Sequence, residues 1–326
     1  MRNFQFAQPK TITQAASLLS QKENFLLMAG GTDLLDELKS GAAEAPGVAD
    51  LKSISGLSYI KKEKGEMHIG ALTRVADLAG NRWIKQEYPE LVQAALSLST
   101  PQLRNVGTVG GNLCQRPRCW YYRDPQVLCL KKGGNKCFAF GGRNKYHAIL
   151  GGGPCFIVFP SDLAPVLISL AAEVILSSGE KERTVPLEEF YVLPRENVRK
   201  ENILRKEEIL KEIKFPQKKN SAKGAYQKFK ERGTWDFAVV SAAVNGVISE
   251  NIFQDIRIVL GGVAPIPWRA KRAENMIKGR TATQELLREA AREELKEARP
   301  LEENAYKKEL VEIVTARTAL SLIEKS

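Results

Sequence analysis

Apolar positions in this chain recur at two spacings, and the spacing in each stretch predicts an element. Ile12, Ala15, Ala16 and Leu19 lie three and four apart, which predicts a helix with one apolar face that Thr11 is placed to cap. The unbroken run Phe25-Leu-Leu-Met28 predicts a buried strand, followed by Ala29-Gly-Gly-Thr32 and a helix onset over 34–38. Val48-Ala-Asp-Leu51 predicts a second strand, so residues 1–56 read as a βαβ-like lobe. Two short alternating runs, 59–61 and 67–71, flank Lys64-Gly65 and predict a hairpin. Helical spacing follows at 74–78, 83–86 and 90–98. After residue 160 the chain predicts helix then strand over 164–176, a surface turn and helix at 186–191, and a strand over 209–215 that Pro216 ends. Past a polar linker, Gln217-Lys-Lys-Asn-Ser221, strands are expected near 225–229, 239–247 and 256–263, with helices over 268–277, 283–298 and 306–323.

Two glycine loops interrupt these patterns. The first is Ala29-Gly-Gly-Thr-Asp-Leu34 and the second Gly107-Thr-Val-Gly-Gly-Asn112, each behind an apolar stretch. Glycines free the backbone to take positive φ and turn successive N–H groups toward one point, an anion cradle. Two cradles suit a ligand with two phosphates; the plainer alternative is a pair of tight turns. No lysine follows either double glycine as a P-loop needs, and the Gly-x-Gly-x-x-Gly spacing is missing from both, which sets aside the usual kinase and nicotinamide readings.

Residues 114–160 break the pattern altogether. The stretch is rich in glycine, proline and basic residues, has little periodicity, and holds all five cysteines, Cys114, Cys119, Cys129, Cys137 and Cys155. A connection this long without regular structure is functional or disordered, and cysteine crowding argues for order imposed by a metal. No Cys-x-x-Cys pair exists, which weakens a zinc ribbon, while His147 leaves a Cys3His zinc site open. Four thiolates also suit an iron–sulfur cluster, since a fold can assemble them without short spacings.

Charge changes the picture little. The net charge is +11, but 49 Lys and Arg are interleaved with 38 Asp and Glu. That favours a basic surface facing an acidic partner protein, and no nucleic-acid motif is present. No stretch approaches a membrane span and the N-terminus lacks a signal-peptide core, so no membrane association and a cytoplasmic location are expected. In that compartment disulfides are not expected. Only two histidines, His68 and His147, and no nucleophile elbow argue against substrate chemistry in this chain.

Four ordered segments carry a resemblance: Ala29-Gly-Gly-Thr-Asp-Leu-Leu35, Arg104-Asn-Val-Gly-Thr-Val-Gly-Gly-Asn112, Ser161-Asp-Leu-Ala-Pro-Val-Leu167 and Leu260-Gly-Gly-Val-Ala-Pro-Ile-Pro267. Together they resemble the FAD-binding subunit of the molybdenum hydroxylases, the family of xanthine dehydrogenase and the carbon monoxide dehydrogenase flavoprotein, over nearly the whole chain. The resemblance implies an α+β fold. A two-lobed FAD-binding domain of PCMH type over 1–217 (lobes 1–56 and 57–217, insertion 114–160) precedes an α+β C-terminal domain over 221–326 with an antiparallel sheet. It implies that FAD is held by Leu27, Ala29, Gly30, Gly31, Thr32, Asp33 and Leu34 and by Thr108, Val109, Gly110, Gly111 and Asn112. Asp162 would serve the ribityl or ribose hydroxyls, Leu210 the ring face, and Lys228 the pyrimidine edge. The cysteine loop is similar to that of the 4-hydroxybenzoyl-CoA reductase type, whose beta subunit carries a [4Fe-4S] cluster. That places ligands at Cys119, Cys129, Cys137 and Cys155 and leaves Cys114 spare. The implied partners are a molybdenum-cofactor large subunit and a [2Fe-2S] small subunit, as a heterotrimer or its dimer, with this chain passing electrons between its own cofactors and the [2Fe-2S] clusters. The competing expectations are a self-contained flavin oxidoreductase and a zinc-stabilised basic binding module.

Overall fold

A computed structural model describes residues 1–218 and 221–323. Strands β1 (Gln5–Ala7), β2 (Phe25–Met28) and β3 (Gly47–Asp50) form a parallel sheet in the order β1-β3-β2. Parallel strands need crossovers, and the helix Ile12–Gln21 supplies the first, capped as expected by Thr11 Oγ1, which accepts from the Gln14 amide at 3.1 Å. Strand β1 carried no sequence signal, because three residues show no period.

The second sheet is antiparallel, in the order β4-β5-β8-β6-β7: β4 (Ile60–Glu63), β5 (Glu66–Gly70), β6 (Glu173–Ser177), β7 (Glu182–Pro186) and β8 (Ile209–Pro216). Lys64 and Gly65 form the expected hairpin turn, both at positive φ (49° and 79°), so the turn twist matches that of the strands. One face of the sheet buries Met67, Ile69, Val174, Leu176, Ile213 and Phe215 against helices that include Pro89–Ser97 and Leu163–Ser169.

Beyond the linker, of which Lys219 and Asn220 lie outside the described residues, β9 (Ala222–Phe229), β10 (Val240–Ser249), β11 (Ile252–Gly261) and β12 (Trp268–Arg269) make an antiparallel sheet in the order β12-β11-β10-β9. The helix expected from Trp268 begins only at Lys271. Trp268 and Arg269 pair instead with Leu260 and Val259, and the Trp268 indole N–H donates to Glu294 Oε1 at 2.8 Å, so tertiary pairing overrides the local period. Helices Lys271–Ile277, Gln284–Glu294 and Lys307–Leu320 accompany this sheet; residues 324–326 at the expected end of the domain lie outside the described residues.

One apolar core crosses the linker. Tyr226, Ala243 and Val259 of the third sheet belong to the same buried cluster as Met67, Leu91, Leu163 and Ile213. The insertion is ordered with little regular structure, holding one short helix, Trp120–Arg123, and one 3-10 turn, Leu130–Lys132. Its Ile149 and Leu150 join the core of the C-terminal helices.

Ile213 is fully buried at the middle of β8, the central strand of its sheet. Ile213→Ala should destabilise the protein by about 2–5 kcal/mol through lost burial plus the cavity left behind, read as a lower urea midpoint with the m-value unchanged.

Candidate functional site

A cavity of about 1480 Å3 runs between the parallel-sheet lobe, the second lobe and a loop of the C-terminal domain. This exceeds the roughly 300–1,000 Å3 of an ordinary small-ligand pocket, as an extended dinucleotide requires. Leu27, Ala29, Gly30, Gly31, Thr32, Asp33, Leu34, Thr108, Gly110, Gly111, Asn112, Asp162 and Leu210 all line it. Val109 and Lys228 are not among the lining residues: Val109 is wholly buried in the core beneath the second loop, and Lys228 lies behind Asp162.

The two glycine loops do different work. The amides of Gly30, Gly31, Thr32, Asp33 and Leu34 donate to no protein acceptor among the described residues, and only Gly31 takes positive φ (75°). A run of unpaired N–H groups at the edge of a cavity is an anion cradle. In the second loop the amides of 109–111 are already used: Val109 N–H donates to Thr73 O at 2.9 Å, Gly110 N–H to Ala71 O at 2.8 Å, and Gly111 N–H to Thr108 Oγ1 at 3.1 Å. None of its glycines adopts positive φ. What they supply is room, since a Cβ on Gly110 would stand 2.8 Å from the Ala71 methyl. The expectation of two equivalent cradles is therefore corrected: one loop presents amides and the other shapes the wall. The loops also touch, because a Cβ on Gly30 would run into the Val106 carbonyl.

Asp162 is 1% exposed. Tyr226 O–H donates to its Oδ1 at 2.7 Å, and Lys228 Nζ pairs with Oδ2 at 2.7 Å while also reaching Ser97 O at 3.4 Å. Both partners come from β9, so this pair joins the domains at the cavity wall. Asp162 makes no side-chain cap to the helix it precedes. Ser161 takes that role, accepting from the Ala164 amide at 3.0 Å and donating to Asn112 Oδ1 at 2.6 Å.

The Asp33 side chain turns away from its own helix toward the insertion. Its carboxylate accepts from the Arg116 amide at 2.7 Å and pairs with Arg118 at 2.9 Å and Arg123 at 2.7 Å. Alongside, Tyr122 O–H donates to Glu37 Oε1 at 2.7 Å, burial pushes the Glu37 carboxyl above its usual range, and buried Lys131 pairs with buried Glu201. Protein contacts thus order the segment that the cysteine content had assigned to a metal.

Cys119, Cys129, Cys137 and Cys155 line one small cavity together with His147, while Cys114 lines the large one. Cys137 and Cys155 form a hydrogen-bonded pair, which lowers the Cys137 thiol to about 6 and raises that of Cys155. Burial pushes Cys119 up to about 11 and the isolated Cys114 to about 12. His147 Nε2 lies 3.2 Å from Cys119 Sγ, and its Nδ1 is buried without a partner. Burial, then the charge of Lys307, lowers His147 to about 4, so the ring is neutral. Among the described residues no group of three or more His, Cys, Asp or Glu side chains is arranged to hold a metal ion. Tyr122 and Lys131 line both cavities.

Residues 2–218 match the FAD-binding domain family of molybdopterin dehydrogenases, and residues 224–322 match the C-terminal domain family of the CO dehydrogenase flavoprotein. The chain belongs to the FAD-binding subunits of the molybdenum hydroxylases. It is similar to the aldehyde oxidoreductase FAD-binding subunit PaoB of Escherichia coli K12, at 32% identity over 313 residues, covering 94% of each chain. It is also similar to the carbon monoxide dehydrogenase medium chain of Hydrogenophaga pseudoflava, at 28% identity over 88% of this chain and 84% of that one. A solved carbon monoxide dehydrogenase from the same organism superposes with a TM-score of 0.79 at 26% identity, covering 99% of this chain and 98% of that one. As in those relatives, this flavoprotein subunit is part of an oxidoreductase, with the expected mixed fold and antiparallel C-terminal sheet. Among the described residues no helix is long and apolar enough to cross a membrane.

Sequence reasoning missed the loop between β9 and β10. Arg232, Trp235, Asp236 and Phe237 of this FAD-binding subunit line the cavity from the C-terminal domain, and Arg118 lies over the Phe237 ring at 5.0 Å. No motif marks that loop; its one signal is two aromatic residues in a polar turn. In this flavoprotein Gly30→Val should push the touching loops apart and release most of the bound flavin. Absorbance near the flavin maximum would read the loss, with the far-ultraviolet circular dichroism unchanged.

Proposed function

We propose that the large cavity holds FAD and that the four-thiol cavity holds a [4Fe-4S] cluster, so that the chain relays electrons to the [2Fe-2S] clusters of a partner subunit. The observation that carries this reading is the shared wall: Tyr122 and Lys131 border both cavities, so groups bound in them would be neighbours. The flavin supplies exchange of electrons in pairs or singly, and the cluster supplies one-electron transfer.

The chain's own residues bind and orient. The amides of 30–34 would face the diphosphate, with Leu27, Ala29, Thr32, Thr108, Gly110, Gly111 and Asn112 completing its walls and Val109 supporting them from below. Asp162 is held in place by Lys228 and Tyr226, and its remaining lone pairs can accept from ribityl hydroxyls. Lys228 then acts by setting Asp162 rather than by touching the ring. Leu210, with Leu98 and Leu103, offers an apolar surface to the isoalloxazine. For the metal, Cys119, Cys129, Cys137 and Cys155 are the ligand set. Four thiols around one cavity are the donor set a cluster takes, and the likeness to the 4-hydroxybenzoyl-CoA reductase loop supports that over the zinc module. The unit over 1–217 would bind FAD and that over 221–326 would buttress it.

Substrate chemistry is assigned to a molybdenum-containing large subunit, joined with the [2Fe-2S] subunit in a cytoplasmic heterotrimer or its dimer. The aldehyde oxidoreductase and carbon monoxide dehydrogenase relatives are themselves named as subunits or chains of larger enzymes. Purified anaerobically, the chain should contain FAD and close to four iron atoms. Serine at Cys119, Cys129, Cys137 or Cys155 should each abolish the paramagnetic signal of the reduced protein while Cys114→Ser keeps it; zinc in place of iron would refute the cluster. Alone, the chain should accept electrons from artificial donors without turning over a physiological substrate.

A further inference from the structure

We propose that Lys307 is a positioning residue that raises the redox potential of the four-thiol site, by holding an unpaired buried positive charge behind the His147 imidazole that meets Cys119. The inference rests on the cluster reading above and concerns a residue some 150 positions from the last cysteine in sequence, on the helix Lys307–Leu320.

Lys307 is 0% exposed. Its ammonium donates to the carbonyls of Tyr146 (2.8 Å), His147 (3.1 Å) and Gly262 (2.8 Å), which satisfies all three N–H groups. No carboxylate pairs with it among the described residues. The contrast with the other lysines of deeply buried side chain is sharp: Lys131 has Glu201 and Lys228 has Asp162. A buried charge without a counter-charge is costly, and burial alone lowers the Lys307 amine to about 7, so holding the ammonium in full at neutral pH calls for an anion nearby. Three carbonyls orient the cation but cannot neutralise it.

What lies beyond the carbonyls identifies the missing counter-charge. The residue whose carbonyl Lys307 grips, His147, places Nε2 3.2 Å from Cys119 Sγ in the wall of the four-thiol cavity. Nδ1 is buried without a partner, so the one polar contact of the ring is with that sulfur, and the imidazole bridges the Lys307 clamp to the thiol cavity. Asn304 Nδ2 fixes the same segment, donating to the carbonyls of Asn144 (3.3 Å), His147 (3.1 Å) and Ala148 (3.4 Å). Four thiolates around an iron–sulfur core form an anion, and each electron taken up adds one negative charge. A fixed cation nearby in a poorly screened interior stabilises the reduced form more than the oxidised one. The potential is therefore higher with the ammonium than without it.

The test is a redox titration of the anaerobically purified, flavin-loaded chain, followed by electron paramagnetic resonance, on wild type, Lys307→Met and Lys307→Gln. Gln keeps N–H donors for the carbonyls but lacks the charge. The expected result is an unchanged iron content in both variants with a midpoint potential more negative than wild type in both. An intact cluster at the wild-type potential in Lys307→Met overturns this inference and leaves the cluster standing. A shift in Met but not in Gln overturns it too, since hydrogen bonding would then carry the effect. Failure of both variants to accumulate as folded flavoprotein assigns Lys307 to the fold and overturns it as well. Wild-type protein without iron overturns the cluster reading, and the inference falls with it.

Discussion

Asp33 does two jobs that constrain each other. Its backbone belongs to the run of unpaired amides in the first glycine loop, while its carboxylate gathers the Arg116 amide and the guanidinium groups of Arg118 and Arg123. The loop that presents N–H groups to the cavity and the start of the cysteine segment are therefore fixed by one residue. A loop of unpaired amides is costly to hold open without a ligand, and anchoring through Asp33 supplies rigidity that its glycines do not. Because Arg123 ends the short helix that Cys119 precedes, the same anchor sets where the thiol cavity begins.

Charge is buried in this molecule mainly at seams. Asp162 with Lys228 joins the first domain to β9, Lys131 with Glu201 ties the insertion to the segment ahead of β8, and Lys307 ties it to the C-terminal helix. Buried pairs of this kind add little net stability against apolar substitutes, yet removing one partner strands the other. Their value is registration. An apolar core that continues across the linker is tolerant of sliding, whereas a carboxylate with two donors is not.

How much of this was legible depended on whether the information was local. The Lys64-Gly65 hairpin, the Thr11 cap and most of the C-terminal strands follow from period and turn chemistry and could be read directly. Strand β1 and the β12 pairing of Trp268 and Arg269 exist only through their neighbours, so no local pattern marked them. At the site, glycine content revealed both loops but not their division of labour. Whether an amide is free depends on what lies opposite it, and the carbonyls of Ala71 and Thr73 lie some 40 residues upstream of the second loop. The grouping of four cysteines without Cys114 came through family resemblance, and the structure gathers the same four. The partners Glu201, Asn304 and Lys307 left no trace in the sequence, since a buried lysine looks like any other until its surroundings are known.

The carbonyl clamp by Asn304 and Lys307 has a bearing on how the molecule is made. Those side chains follow the segment they grip by about 160 residues. A chain that emerges N-terminus first can fold its parallel-sheet lobe and order the cysteine segment from one side, through Asp33, while ribosomal synthesis of the last third continues. On the other side, the segment that carries His147 is clamped only after the helix Lys307–Leu320 has been released. Until then the cysteine segment is anchored from one side alone, and the order in which its two anchors form follows the order of the chain.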